Sequence, residues 1–430
     1  MQCLIALDGL SKSDVQLLLK LIPKSSKQLS SMSLHGLSCF FNSSTPVWSE
    51  ILTGVSWSGN GCAGFSRPID SLNKLAVFSE GDLLSPISLI DDSGPLSPVV
   101  INVPLVEPRK NRYWLSDGSL PTNKLVSPKV LNTEPIFAQY LPRPYPSHAY
   151  ATASNHAVLV HECIALERHR LSCAVALFDR EKFSSFVYRL TIFDLLSHIL
   201  GTGFLQASDL TIFGALKSFL SELDDALAKM MRKYPKDVSI VSAFSHTACT
   251  NTVNLNLLLA NGRFLSVTDA AAQNRADDER MRVAELRFGW EPSSHHLTTL
   301  EGRLNTSSTL AASPVSGCVY INRKNTFKDG AVTESDYLNV RLQVENYLRS
   351  ALKQFGSNLS IQTYQHDSNS TIAPDLVVSV KGVEFQNLSA DALPITPLTT
   401  HDNEGFALLP KARKAPEKIR TTQLASLLIA

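Results

Sequence analysis

The stretch Asp237 to Asn256, DVSIVSAFSHTACTNTVNLN, constrains the fold more than any other part of the chain. Val238 to Val241 is a short apolar run, and the segment before it, Ile212 to Met231, repeats Leu216, Phe219, Leu220, Leu223 and Leu227 at helical spacing. An amphipathic helix feeding a short, mostly apolar run predicts a buried strand in a parallel, helix-covered sheet. Such a strand ends at Ser242-Ala243-Phe244, and open α/β sheets place their ligands at the carboxyl ends of their strands. A site there uses acids and imidazoles. This chain puts Ala243 and Phe244 in that place.

Similar runs recur along the chain. Cys3 to Leu7 reads as a strand ending at Asp8-Gly9, Val99 to Val103 as another, and Cys173 to Phe178 as a third ending at Asp179. Gly317 to Asn322 and Asp375 to Val380 follow. Between them, helices are predicted from Ser13 to Ile22 (closed by Pro23), from Pro46 to Leu52, around Tyr337 to Phe355, and from Thr421 to Ile429. Residues 24–43 read as a serine-rich loop, and Thr400-His401 as part of another. Strands alternating with helices predict an α/β fold, a mostly parallel central sheet flanked by helices on both faces. The core is expected from residues 1–65, 156–261 and 317–430, with 66–155 and 262–316 as inserted cap segments.

Composition narrows the partners. A net charge of +1 over 430 residues gives no global attraction to nucleic acid or anionic lipid. No apolar stretch is long enough to span a bilayer, and Met1 leads almost directly into the first strand without a leader. The seven cysteines are scattered, with no C-x-x-C pair, so a reduced, cytoplasmic protein is expected.

Asp8, Asp179 and Ser242 share one topological place, just after an apolar run, and strand ends of one parallel sheet converge in space. In this order the elements resemble the type I phosphodiesterase/nucleotide pyrophosphatase branch of the alkaline phosphatase superfamily, nearly end to end. Leu4-Ile5-Ala6-Leu7-Asp8-Gly9 is similar to its opening strand and metal-binding Asp-Gly. Ser44-Thr45-Pro46, followed by Thr53-Gly54, resembles its nucleophile segment, and Val100 to Pro104 with Ser116 and Gly118 a later one. Asp179-Arg180 is similar to the start of its D-R-x-x-H motif, and Val238 to Ser242 with Leu255-Asn256 to the strand around S-D-H-G. Pro374-Asp375-Leu376 and His401 with Gly405 match late segments.

The resemblance implies an alkaline-phosphatase-like fold and two metal ions, usually zinc, held by three Asp and three His around a hydroxyl nucleophile. Carried over by position, Ser44 stands for the nucleophile, Asp8 for a ligand on the nucleophile side, and Asp179 and His401 for ligands of the other ion. Phe183, Ala243 and Phe244 stand at three ligand positions, and Phe65 where many members keep a phosphoryl-binding Asn. His246 lies three residues past Ala243, and only a local bulge that breaks the spacing to Asn256 would bring it inward; His198 and His295-His296 are other candidates of a kind that more often sit as surface or cap residues. Three side chains without a suitable lone pair favour a catalytically silent relative. It would bind a phosphorylated small molecule, a nucleotide or a protein partner, with zinc, another divalent cation or no ion. The alternative is an active metal-dependent phosphodiesterase or pyrophosphatase using Ser44.

Overall fold

The computed structural model describes residues 2–41, 43–107, 109, 112–115, 156–180, 182–206, 210–267, 304–364, 373–386 and 397–429. Ser116, Gly118 and His295-His296 lie outside the described residues. Contacts divide the chain into two units: Met1–Ser56 with Ser85–Ala248 and Leu398–Ala430, and Trp57–Leu84 with Cys249–Pro397.

The first unit holds an eight-stranded sheet. In chain order its elements are β1 (Gln2–Leu7), α1 (Val15–Leu21), α2 (Pro23–Ser30), β2 (Ser33–Ser38), α3 (Ser44–Thr53), β3 (Ser97–Ile101), β4 (Tyr113–Leu115), α4 (His156–Arg180), β5 (Phe183–Leu190), α5 (Ile192–Leu200), α6 (Leu210–Lys233), β6 (Val238–Ser242), β7 (Ser245–Ala248), β8 (Thr399–Asp402), β9 (Glu404–Leu409), β10 (Lys418–Arg420) and α7 (Thr421–Ile429). The strand order is β10-β2-β9-β6-β1-β5-β3-β4, and all pairings are parallel except those of β9. This is the mostly parallel α/β sheet the sequence predicts, and β6 is the buried strand predicted at Val238 to Val241.

Side chains alternate across the sheet. Cys3, Ile5 and Leu7 of β1, with Phe186, Tyr188 and Leu190 of β5, join one cluster with Leu18, Leu29, Cys163, Ile199 and Phe219 from α1, α2, α4, α5 and α6. Arg189 points the other way, where Trp48 of α3 lies against its guanidinium. On that side Thr421 of α7 donates a buried hydrogen bond to Glu50 of α3.

Local readings fail in three places. The first helix ends at Leu21, just before Pro23 as expected, but Pro23 itself begins α2, and residues 24–43 contain a helix and the paired strand β2 rather than a loop. The run Cys173–Phe178 is helical, not a strand. Its apolar residues continue a helical stripe through Val160, Cys163, Ile164, Leu171 and Ala174, and a stripe of that length outweighs a short apolar run. The strand in that part of the chain is β5 instead, which begins at Phe183. Third, His401 lies in strand β8, which pairs with β7.

The second unit contains an antiparallel sheet ordered Ala311–Val315, Cys318–Ile321, Leu376–Val380, Leu359–Thr363. Asp375 is structural there: its carboxylate accepts from Ile321 N at 2.6 Å and the Tyr337 hydroxyl at 2.7 Å. Phe65 belongs to this unit and is 38% exposed.

One glycine governs how β1 meets α5. Gly9 has φ of 98°, and a Cβ there would lie 2.4 Å from the backbone nitrogen of Asp194. Gly9→Ala is expected to lower stability by at least about 2 kcal/mol, read as a fall in the urea midpoint, because the methyl meets backbone that cannot rotate away.

Candidate metal centre

Helix α5 begins at Thr191, whose hydroxyl donates to Glu167 at 3.1 Å; Glu167 is in turn paired with Arg170 at 2.9 Å in the buried face of α4. Asp194 follows in the first turn of α5, where the helix dipole favours a carboxylate. His198 is one turn later on the same face. Across from them, β6 ends at Ser242 and the chain restarts as β7, which pairs antiparallel with β8 and sets His246 directly opposite His401. Facing residues in such a pair project from the same side. Two residues from one helix and two from one strand pair therefore converge.

The donor atoms meet at Asp194. Its Oδ1 is 2.8 Å from His246 Nε2, 3.0 Å from His401 Nε2 and 3.5 Å from His198 Nε2. His198 Nε2 and His401 Nε2 are 3.1 Å apart. Among the described residues this is the group of histidines and acids whose ligand atoms lie close enough to share an ion, all within 4.8 Å of one another. Donors of a tetrahedral shell with bonds near 2.0–2.1 Å stand about 3.3 Å apart, so the spacing fits an ion of zinc's size. The outer hydrogen bonds fit too. Thr399 Oγ1 donates to the Ser197 carbonyl at 3.1 Å, so at His246 Nδ1, 3.2 Å away, it accepts. That places the proton on Nδ1 and turns the bare Nε2 toward the Asp194 carboxylate. In the neutral ring this 2.8 Å contact is bridged by a metal ion, and in the imidazolium by a proton on Nε2.

The electrostatics agree. Burial pushes the Asp194 carboxyl up, but His401, His246 and His198 outweigh it and hold it well below the usual carboxylate range. Burial lowers the His246 imidazole against the opposing pull of Asp194. The ring of Phe244, fully buried, lies 4.5 Å from that of His401 and shields this side of the cluster.

Asp8 is in a different state. Its Oδ2 accepts from Arg189 Nε at 2.6 Å and from Trp48 Nε1 at 2.7 Å, and its Oδ1 from Ala243 N at 3.0 Å. The carboxylate is wholly buried and already neutralised by a guanidinium. Ser44 is the first residue of α3, one turn ahead of Trp48, half-buried and without a hydrogen-bond partner among the described residues.

Of the residues singled out in the sequence, His401, His198 and His246 come together. Asp179 does not join them: it sits at the end of α4, exposed, and pairs with Lys229. Its assignment as a ligand is corrected by the helix it belongs to, since the strand that leads into the cluster is β5. Phe183 likewise occupies no ligand position. It starts β5 and packs on Phe178 and Phe186. The acid that sequence reasoning missed is Asp194. Its signal was Asp-x-x-x-His, Asp194 to His198, shortly after the mostly apolar stretch Phe186 to Leu190, which Arg189 interrupts. A cavity of about 940 Å³ in the same unit is lined by Gly9, Lys12, His246 and Glu404 but not by Asp8, Ser44 or Asp194. The side-chain cluster, rather than that cavity, locates the chemistry.

No family profile and no curated protein matches the sequence. Solved structures share its fold. Phosphonoacetate hydrolase from Sinorhizobium meliloti 1021, in complex with phosphonoformate, aligns with a TM-score of 0.55 at 14% identity, covering 100% of this chain and 95% of that one. Wild-type alkaline phosphatase PafA aligns at 0.54 and 14% over 100% and 95%. Murine ectonucleotide pyrophosphatase/phosphodiesterase 5, in complex with AMP, aligns at 0.50 and 14% over 99% and 93%. The chain has the fold of the alkaline phosphatase superfamily.

Two outcomes are expected. Arg189→Ala leaves Asp8 buried and unpaired and should cost about 3–5 kcal/mol by equilibrium denaturation, with part recovered when Asp8→Asn is added. In metal-free protein, His246 is harder to protonate folded than unfolded, so stability should fall as pH drops below its ordinary 6.5. Asp194 is harder to protonate as well, so a further loss should follow below its ordinary 3.8. Denaturation midpoints against pH check both limbs, and Asp194→Asn should remove the lower one.

Proposed function

We propose that the chain is a type I phosphodiesterase/nucleotide pyrophosphatase-like protein whose metal-dependent phosphoester hydrolysis is weakened or lost, and which keeps the scaffold as a binder of a phosphorylated small molecule or nucleotide. The state of Asp8 carries this reading. The acid nearest in sequence role to the Ser44 nucleophile spends its oxygens on Arg189, Trp48 and Ala243, which leaves no acidic ligand there for an ion. Ser44 also lacks a hydrogen-bonded base among the described residues, and a serine hydroxyl without one is a poor nucleophile.

The intact donor set lies elsewhere, in Asp194, His198, His246 and His401, and suits zinc or a similar divalent cation. When bound, such an ion supplies positive charge and polarisation at that end of the sheet. The relatives in fold that were solved with AMP and with phosphonoformate support a phosphate- or phosphonate-bearing ligand. All seven cysteines are free, which supports a reducing, cytoplasmic setting.

A second reading, an active hydrolase, is favoured by Ser44 standing at the N-terminus of the ten-residue helix α3, where a hydroxyl meets unpaired backbone N–H groups. Hydrolysis of bis(4-nitrophenyl) phosphate with added zinc or manganese separates the two. The expected result is turnover at least about 100-fold below that of the alkaline phosphatase of similar fold and unchanged in Ser44→Ala, with saturable AMP binding by calorimetry. Turnover that disappears in Ser44→Ala would establish the hydrolase instead.

A further inference from the structure

We infer that His246 completes a closed, four-donor shell with Asp194, His198 and His401, so that an ion held there is a structural clamp with no position left for substrate. The inference rests on the metal-binding part of the preceding reading and goes beyond it by assigning the ion's role.

The number of donors decides the point. Structural zinc sites take four protein ligands, whereas catalytic ones take three and keep a fourth position for water or substrate. Asp194, His198 and His401 alone would make the open kind. His246 turns it into the closed kind, because its Nε2 is 2.8 Å from Asp194 Oδ1 and its side chain is only 1% exposed. Its orientation is also fixed. Thr399 fixes its ring from behind, Thr399 is itself anchored to Ser197 of α5, and antiparallel pairing holds β7 to β8. A residue so constrained does not swing out to make way for a ligand.

The clamp has something to hold. Asp194 and His198 belong to α5, His246 to β7 and His401 to β8, and α5 is separated from β8 by about 200 residues of chain. An ion that binds the folded shell and not the unfolded chain adds its binding free energy to the stability of the fold. No second ion shares the duty at Asp8, whose charge Arg189 already balances.

Cobalt(II) reports the shell directly. Metal-free protein titrated with cobalt should saturate at one equivalent with the intense visible bands of a four-coordinate N/O site, and millimolar inorganic phosphate should leave those bands unchanged. Chelation should lower the melting temperature. His246→Ala should weaken cobalt binding at least about 100-fold and, where the ion is still bound, make the bands sensitive to phosphate. Phosphate-sensitive bands in the wild-type protein, or two equivalents bound, would overturn the closed shell while leaving metal binding intact. No cobalt uptake at all would overturn both the clamp and the metal-binding reading. The wild-type phosphate titration decides the matter even if the variant does not fold.

Discussion

The buried Asp8 carboxylate ties together three elements of the first unit. It receives a hydrogen bond from β5 through Arg189, from α3 through Trp48 and from the end of β6 through Ala243. Two parallel strands and a helix are thereby fixed to the carboxyl end of β1. A buried ion pair of this kind adds little net stability over an apolar replacement, but removing one partner is costly, so its effect is to specify an arrangement. Gly9, next in sequence, then lets α5 approach the end of β1 closely enough to set Asp194.

From that arrangement two acids at one end of the sheet acquire opposite roles. Asp8 meets three donors, one of them a guanidinium, which satisfy it within the fold. Asp194 meets three imidazoles at 2.8–3.5 Å. The first environment supplies its own cation. The second asks for one. This difference, rather than the count of histidines, separates a structural ion pair from a metal site.

Much of the scaffold was legible in the sequence. The continuous apolar runs of β1 and β6 and the stripe of α6 needed no tertiary information, because strand and helix periods are local properties. Asp8, His198, His246 and His401 were all visible as candidates. Cys173–Phe178 was misread because six apolar residues fit a strand and a helix equally well, and the misreading carried Asp179 with it. The true strand β5 contains Ser184, Ser185 and Arg189, polar positions that interrupt its apolar run and mask its end. Asp194 therefore had no recognised strand before it.

What the chain by itself determined is the order of strands and helices and the stock of ionisable side chains at their ends. Burial of apolar runs with fixed periods leaves little alternative to a helix-covered, mostly parallel sheet. Which of those side chains meet was decided only in three dimensions. His246 reaches His401 because β7 leaves the line of β6 and pairs with a strand about 150 residues away. Asp8 is lost to metal because Arg189 projects from the face of β5 opposite Tyr188 and Leu190 and finds it there. Neither contact has a local signature, since both depend on register between strands distant in sequence.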